Sequence, residues 1–77
     1  MNRQEELPEY TIRAEFSDWH ELDDVYFFLI RVRNTYVNAR RDKQGRDLLT
    51  VSAFGTTARE FAARYIEKHG GTITSNH

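Results

Sequence analysis

Val25-Tyr26-Phe27-Phe28-Leu29-Ile30-Arg31-Val32-Arg33 is the stretch on which the fold turns. Val25 to Ile30 is the longest uninterrupted apolar run in the chain. β-branched and aromatic residues dominate it, and Ile30 to Arg33 alternates apolar with charged, as a strand does. The residues just before it argue for a helix. Ser17-Asp18 offers N-cap oxygens, and Glu21 follows Asp18 by three positions, a capping-box-like start. Acids crowd this first turn, where the helix dipole favours them. Trp19, Leu22, Val25 or Tyr26, Leu29 and Val32 then recur at helical spacing. The spacing predicts a helix over about 18–33, with a strand over 25–33 as the alternative.

Outward from that stretch the reading is plainer. On the N-terminal side, residues 1–8 read as a flexible polar tail ending at Pro8, and 9–77 as a single α+β domain. Tyr10, Ile12, Ala14 and Phe16 alternate with Thr11, Arg13 and Glu15, the pattern of a half-buried strand. On the C-terminal side, Thr35 to Arg41 alternates again, with Val37 and Ala39 on one face. Asp42-Lys43-Gln44-Gly45 is a turn, in which Gly45 can take positive φ. Asp47 to Phe54 is the return strand, with Leu49, Val51 and Ala53 on one side.

Gly55-Thr56-Thr57 then caps a second helix, with Glu60 three residues after Thr57. Ala58, Phe61, Ala62, Tyr65 and Ile66 form its apolar stripe. His69-Gly70-Gly71 stops it, and Thr72-Ile73-Thr74 is a short last strand. The order β-α-β-β-α-β is that of a small ferredoxin-like (split βαβ) two-layer sandwich. Both helices would lie on one face, with Trp19, Leu22, Leu29, Phe61, Tyr65 and Ile66 meeting the sheet. If 25–33 were strand, the fold would be an antiparallel β-meander closed by a C-terminal helix.

Size limits what such a domain can do. A chain of 77 residues buries roughly 60% of its unfolded surface, so its core is marginal. There is no cysteine to add a disulfide or a thiolate metal site. The apolar share is 39% and the charged share 30%, as in soluble domains. No apolar run approaches the ~20 residues of a membrane span. The start of the chain lacks the basic and apolar regions of a signal peptide, so a cytoplasmic protein is expected.

Charge is unevenly spread beneath a net −1. Residues 1–24 hold eight acids against Arg3 and Arg13, a net −6. Residues 31–46 hold Arg31, Arg33, Arg40, Arg41, Lys43 and Arg46 against Asp42, a net +5. The remainder balances. Such asymmetry points to a charged partner or to self-association, unless the two regions pair within the fold.

The chemistry of catalysis does not assemble. Ser17 lies near His20, but a helix start explains the serine, and no third group orients the pair. Glu21, Asp23 and Asp24 lack the glycine-broken loop of a calcium site. His69 and His77 have no partner at zinc spacing. Gly70-Gly71 is not a phosphate cradle. A non-enzyme without cofactor or metal is expected.

Binding features are more definite. Arg40, Arg41, Lys43 and Arg46 surround one turn and, with Arg31, Arg33 and Tyr36, form a candidate surface for an anionic partner. From Tyr36 to Ile66 the chain is similar in rhythm to the sheet-plus-helix DNA-reading modules of integrase arm-binding domains. The basic strand, the Lys43-Gln44-Gly45 turn, the return strand ending in Phe54 and the Thr-rich helix start carry that resemblance, over under half the chain. It implies DNA contact through the hairpin. An RNA-recognition sheet would show aromatics on its central strands. Here the open face would show Thr11, Arg13, Thr50 and Ser52, with Tyr36 and Phe54 towards the rim.

The second feature is a surplus of large apolar groups. Phe27 and Phe28 cannot both face the sheet alongside Tyr26 and Leu29, so an aromatic is left for an interface or for cover by the tail. With Glu15, Asp18, Glu21, Asp23 and Asp24 they form a candidate protein-contact surface. In size and cysteine-free composition the chain looks like small accessory proteins of phages and plasmids, including inhibitors of host defence. The expected function is a protein-binding module, acting on a protein partner or as a homodimer, without a membrane role. The alternative is a nucleic-acid-binding domain using the hairpin 36–46.

Overall fold

The computed structural model describes residues 7–77. In it the ambiguous stretch is helix as far as Leu29 and turn beyond it, and the reasons lie at the two ends of that helix. Helix α1 runs Trp19–Leu29. Its N-cap, Asp18, is extended (φ −130°, ψ 118°), and its carboxylate accepts the His20 amide at 2.9 Å. Glu21 does not close a box there; its carboxylate reaches Gly70, where an added Cβ would meet it.

At the other end the helix stops four residues before the expected limit of 33. The Arg31 amide donates to the Phe28 carbonyl at 3.1 Å and the Val32 amide to the Leu29 carbonyl at 3.0 Å, tightening the last turn. The hydroxyl of Thr35, a residue only 6% exposed, donates to the carbonyls of Leu29 (2.8 Å) and Val32 (2.9 Å). Asn34 takes φ 69° and swings the chain into the next strand. The alternation from Ile30 to Arg33 is therefore that of a turn. The strand alternative for 25–33, and the meander built on it, are not what the chain adopts.

Four strands form one antiparallel sheet: β1 (Glu9–Phe16), β2 (Thr35–Arg41), β3 (Asp47–Phe54) and β4 (Gly71–Asn76), in the order β2-β3-β1-β4. Helix α2 (Thr56–Lys68) links β3 to β4. Registers such as Ile12↔Val51 and Ala14↔Leu49 align the apolar faces of β1 and β3 at the centre of the sheet. A register shift at Arg13/Ala14 marks a bulge against β4. Ile12, Ala14, Phe16, Leu49 and Val51 meet Leu22, Val25, Leu29, Ala62 and Ile66 in one core. This is a small two-layer α+β fold.

Two core expectations are corrected. Trp19 is 52% and Phe61 42% exposed, and Val25 is buried instead. Helix α2 presents Ala58, Ala62 and Ile66 to the sheet. Small side chains let it lie close, and the bulky Phe61 is turned outward. The start of α2 is also corrected. Its N-cap is Gly55, with φ 95° and no side-chain cap, so Thr57 lies inside the helix. Gly55 donates its amide to the Pro8 carbonyl at 2.8 Å. Of the tail read over 1–8, residues 1–6 lie outside the described residues. Gly71 has a different role. A Cβ there would come within 2.7 Å of Phe16 and still nearer Ile66, so only glycine lets β4 pack beneath α2.

Candidate functional site

The hairpin cations are partly spent on one another's neighbours. Asp42 organises the turn. Its Oδ1 accepts the amides of Gln44 and Arg46, both at 2.9 Å, and its Oδ2 accepts the Arg46 guanidinium at 2.7 Å. The Arg46 amide, more than the guanidinium, holds the Asp42 carboxyl below its ordinary value. Arg46 also reaches Glu15 at 3.3 Å. Arg41 pairs with Asp47 at 2.9 Å, a charge-assisted bond that raises its already high pKa. Gly45 takes φ 80°, as its place in the turn required.

The seven residues read as an anionic-partner surface do not converge. Arg31 and Arg33 precede β2, while Arg41, Lys43 and Arg46 lie at its far end. A seven-residue strand separates these groups by roughly 20 Å. Arg41 lines a depression with Trp19, Leu22, Ala39, Arg40 and Asp47. Tyr36 and Arg40 stand on the open sheet face, where a shallow depression is lined by both together with Arg13, Asn38, Thr50 and Ser52. Arg13 thus joins the site although the sequence reading left it out of the basic set. Its position in β1, opposite Thr50 of β3, brings it there.

The acidic set also divides. Glu15 is on the sheet and engaged by Arg46. Asp18 caps α1, Glu21 lies beside Gly70, Asp23 is half-buried and Asp24 is exposed.

The aromatic surplus is real and larger than expected. Phe27 is 52% exposed and meets Tyr26 edge-on, with ring centres 5.3 Å apart. Phe28 bridges the helices, stacked on Tyr65 at 4.2 Å and 9°. Phe61 lies 6.1 Å from Phe28 and 6.2 Å from Tyr65, and His69 lies 4.1 Å from Tyr65. The sequence places both Phe61 and Tyr65 against the sheet; Tyr65 is half-buried and does pack against the core, whereas Phe61 is exposed. The signal that would have separated them is Ala58 and Ala62, four residues apart, which mark the close-packed side of α2. Phe61 also borders a groove of about 530 Å³ with Leu7, Val32, Arg33 and Phe54.

His20 stacks on Trp19 at 4.0 Å, so the ring beside Ser17 is held against an indole. Among the described residues, no three or more His, Asp or Glu side chains gather as a metal site, and no helix is long and apolar enough to cross a membrane. Comparison with protein-family models, with curated proteins and with solved structures gave no match.

Proposed function

We propose that the chain is a non-catalytic protein-binding module of the ferredoxin-like kind, and that its helix layer is the contact surface. The observation that carries this is the aromatic cluster Phe28, Phe61 and Tyr65, which crosses the seam between α1 and α2 and leaves Phe28 and Phe61 about two-fifths exposed. Aromatic side chains concentrate binding energy at protein contacts. The occupant that fits is a second copy. Helix α1 carries Glu21, Asp23 and Asp24 and no Lys or Arg, whereas α2 carries Arg59, Arg64 and Lys68 against Glu60 and Glu67. A two-fold partner that lays α1 on α2 sets opposite charges around the two aromatic clusters. An accessory role in the cytoplasm, by contact with a partner protein, accords with this surface.

The alternative, a nucleic-acid contact through the hairpin, is less favoured, because Arg41 and Arg46 are already engaged by Asp47, Asp42 and Glu15.

Sedimentation equilibrium over a concentration series tests the reading. The native chain is expected to form a dimer. Phe27→Ser and Phe61→Ser should return it to monomer while circular dichroism shows each variant still folded, since the two side chains are already 52% and 42% exposed. A native chain that stays monomeric throughout would remove the second copy as the occupant.

A further inference from the structure

We infer that the open face of the sheet is a binding site for single-stranded nucleic acid, with Tyr36 as a base platform and Arg13 and Arg40 as phosphate contacts. This stands apart from the helix-layer reading, because it uses the opposite side of the molecule.

Three observations carry it. First, Tyr36 is the most exposed of the large apolar side chains among the described residues, at 69%. Its ring stands edge-on to Phe54, at 5.6 Å and 86°. Phe54 therefore steadies the phenol while leaving a ring face free to stack on a base. Second, Arg13 and Arg40 line the same depression as Tyr36 and form no ion pair among the described residues. The carboxylate closest to them in the sheet, Glu15, is already engaged by Arg46. Glu9 lies away at the start of β1, opposite Phe54. Third, the floor between them carries Asn38, Thr50 and Ser52, which offer hydrogen bonds without charge.

The register sets the layout. Tyr36 pairs with Ser52 and Thr11 with Ser52, forming one cross-strand row; Asn38, Thr50 and Arg13 form the next; Arg40, Leu48 and Glu15 form the third. Rows two residues apart are separated by roughly 6.6 Å along the strands. An aromatic ring thus leads into two successive unpaired guanidiniums. Stacking on a ring plus contacts to a backbone of phosphates is how sequence-tolerant single-strand binding is built. A duplex does not satisfy the site, because its bases are stacked on one another and not free for Tyr36. The site is small, with one ring and about two phosphates.

The test is fluorescence anisotropy with a labelled oligothymidylate about 10 nucleotides long. Two phosphate contacts predict affinity falling about 7-fold between about 50 and 200 mM salt. Tyr36→Leu should weaken binding by about 5- to 150-fold, and Tyr36→Phe, which keeps the ring, should bind as the native chain does. The double variant Arg13→Gln, Arg40→Gln should flatten the salt dependence. Arg31→Gln with Arg64→Gln, outside the site, should change neither. Circular dichroism checks that each variant is folded. The inference is overturned by no binding at the lower salt, by a duplex binding as well as the single strand, or by a folded Tyr36→Leu that binds normally.

Discussion

On one side of the sheet Ile12, Ala14, Leu49, Val51 and Ala53 are at most 1% exposed. On the other, Thr11, Arg13, Thr50 and Ser52 occupy the alternate positions of the same two strands. Strand geometry sends successive side chains to opposite faces, so one backbone carries both chemistries. The difference shows where stability and recognition can be separated. The covered face holds the fold together and tolerates little change. The open face is free to be altered, and so is the outer side of the helix layer.

The largest effect should come from the covered side. Leu29 is fully buried, and Leu29→Ala is expected to cost about 2–5 kcal/mol. Urea denaturation would show it as a lower midpoint; a midpoint equal to the native one would mean that α1 is not anchored there. Gly71→Ala comes next. The added methyl meets Phe16 and Ile66, and overpacking of this kind costs about 1–3 kcal/mol. Thermal unfolding would detect it, and a stabilised variant would refute the close approach of β4 to α2.

Thr35→Val keeps the volume but removes the hydroxyl that serves two carbonyls. The Leu29 carbonyl keeps the Val32 amide, but the Val32 carbonyl loses its partner, and the change should cost about 1–3 kcal/mol. Hydrogen exchange should locate the loss at the end of α1, from Leu29 to Val32, and an unchanged pattern there would count against Thr35 as its stop.

A smaller effect belongs to the hairpin. The folded state holds the Asp42 carboxyl below its ordinary value of 3.8. Its contribution is therefore present above that value and lost as the pH falls through the lower folded one. Asp42→Asn should reduce the acid sensitivity of the turn amides, as read by proton NMR; the same sensitivity in the variant would point to another group. The smallest effect is expected on the open face. Thr50→Ala, in a central strand, should lower stability by no more than about 1 kcal/mol. A larger drop in a melting curve would show that this face contributes to the fold and would break the contrast between the two sides.

Much of this was legible in the sequence, for reasons tied to particular residues. The strand at Glu9–Phe16 and the hairpin strands at Thr35–Arg41 and Asp47–Phe54 follow from period-two alternation, a local property. The cap at Asp18 is equally local, since an Asp just ahead of a run of helical period is an N-cap signal. The end of α1 was not legible. It depends on the Thr35 hydroxyl six residues beyond Leu29, in a different element. The candidate sites were only partly legible. Phe27 and Phe28 stood out as surplus, and Tyr36 and Arg40 as a possible contact. Arg13 did not, because nothing in its own strand sets it beside them.

The amino-acid order alone determined the faces of β1, β2 and β3 and the place of α2, since these come from side-chain periodicity within a few residues; it left 25–33 open between helix and strand, where the two periodicities compete. Tertiary structure alone decided which charges remain free and which aromatics stay outside. Arg46 meets Glu15 across 31 positions, and Phe28 meets Tyr65 across two elements. Such pairings exist only once the strands have taken their order and α2 has settled on its alanines, because contacts between distant residues form only when the chain between them is folded.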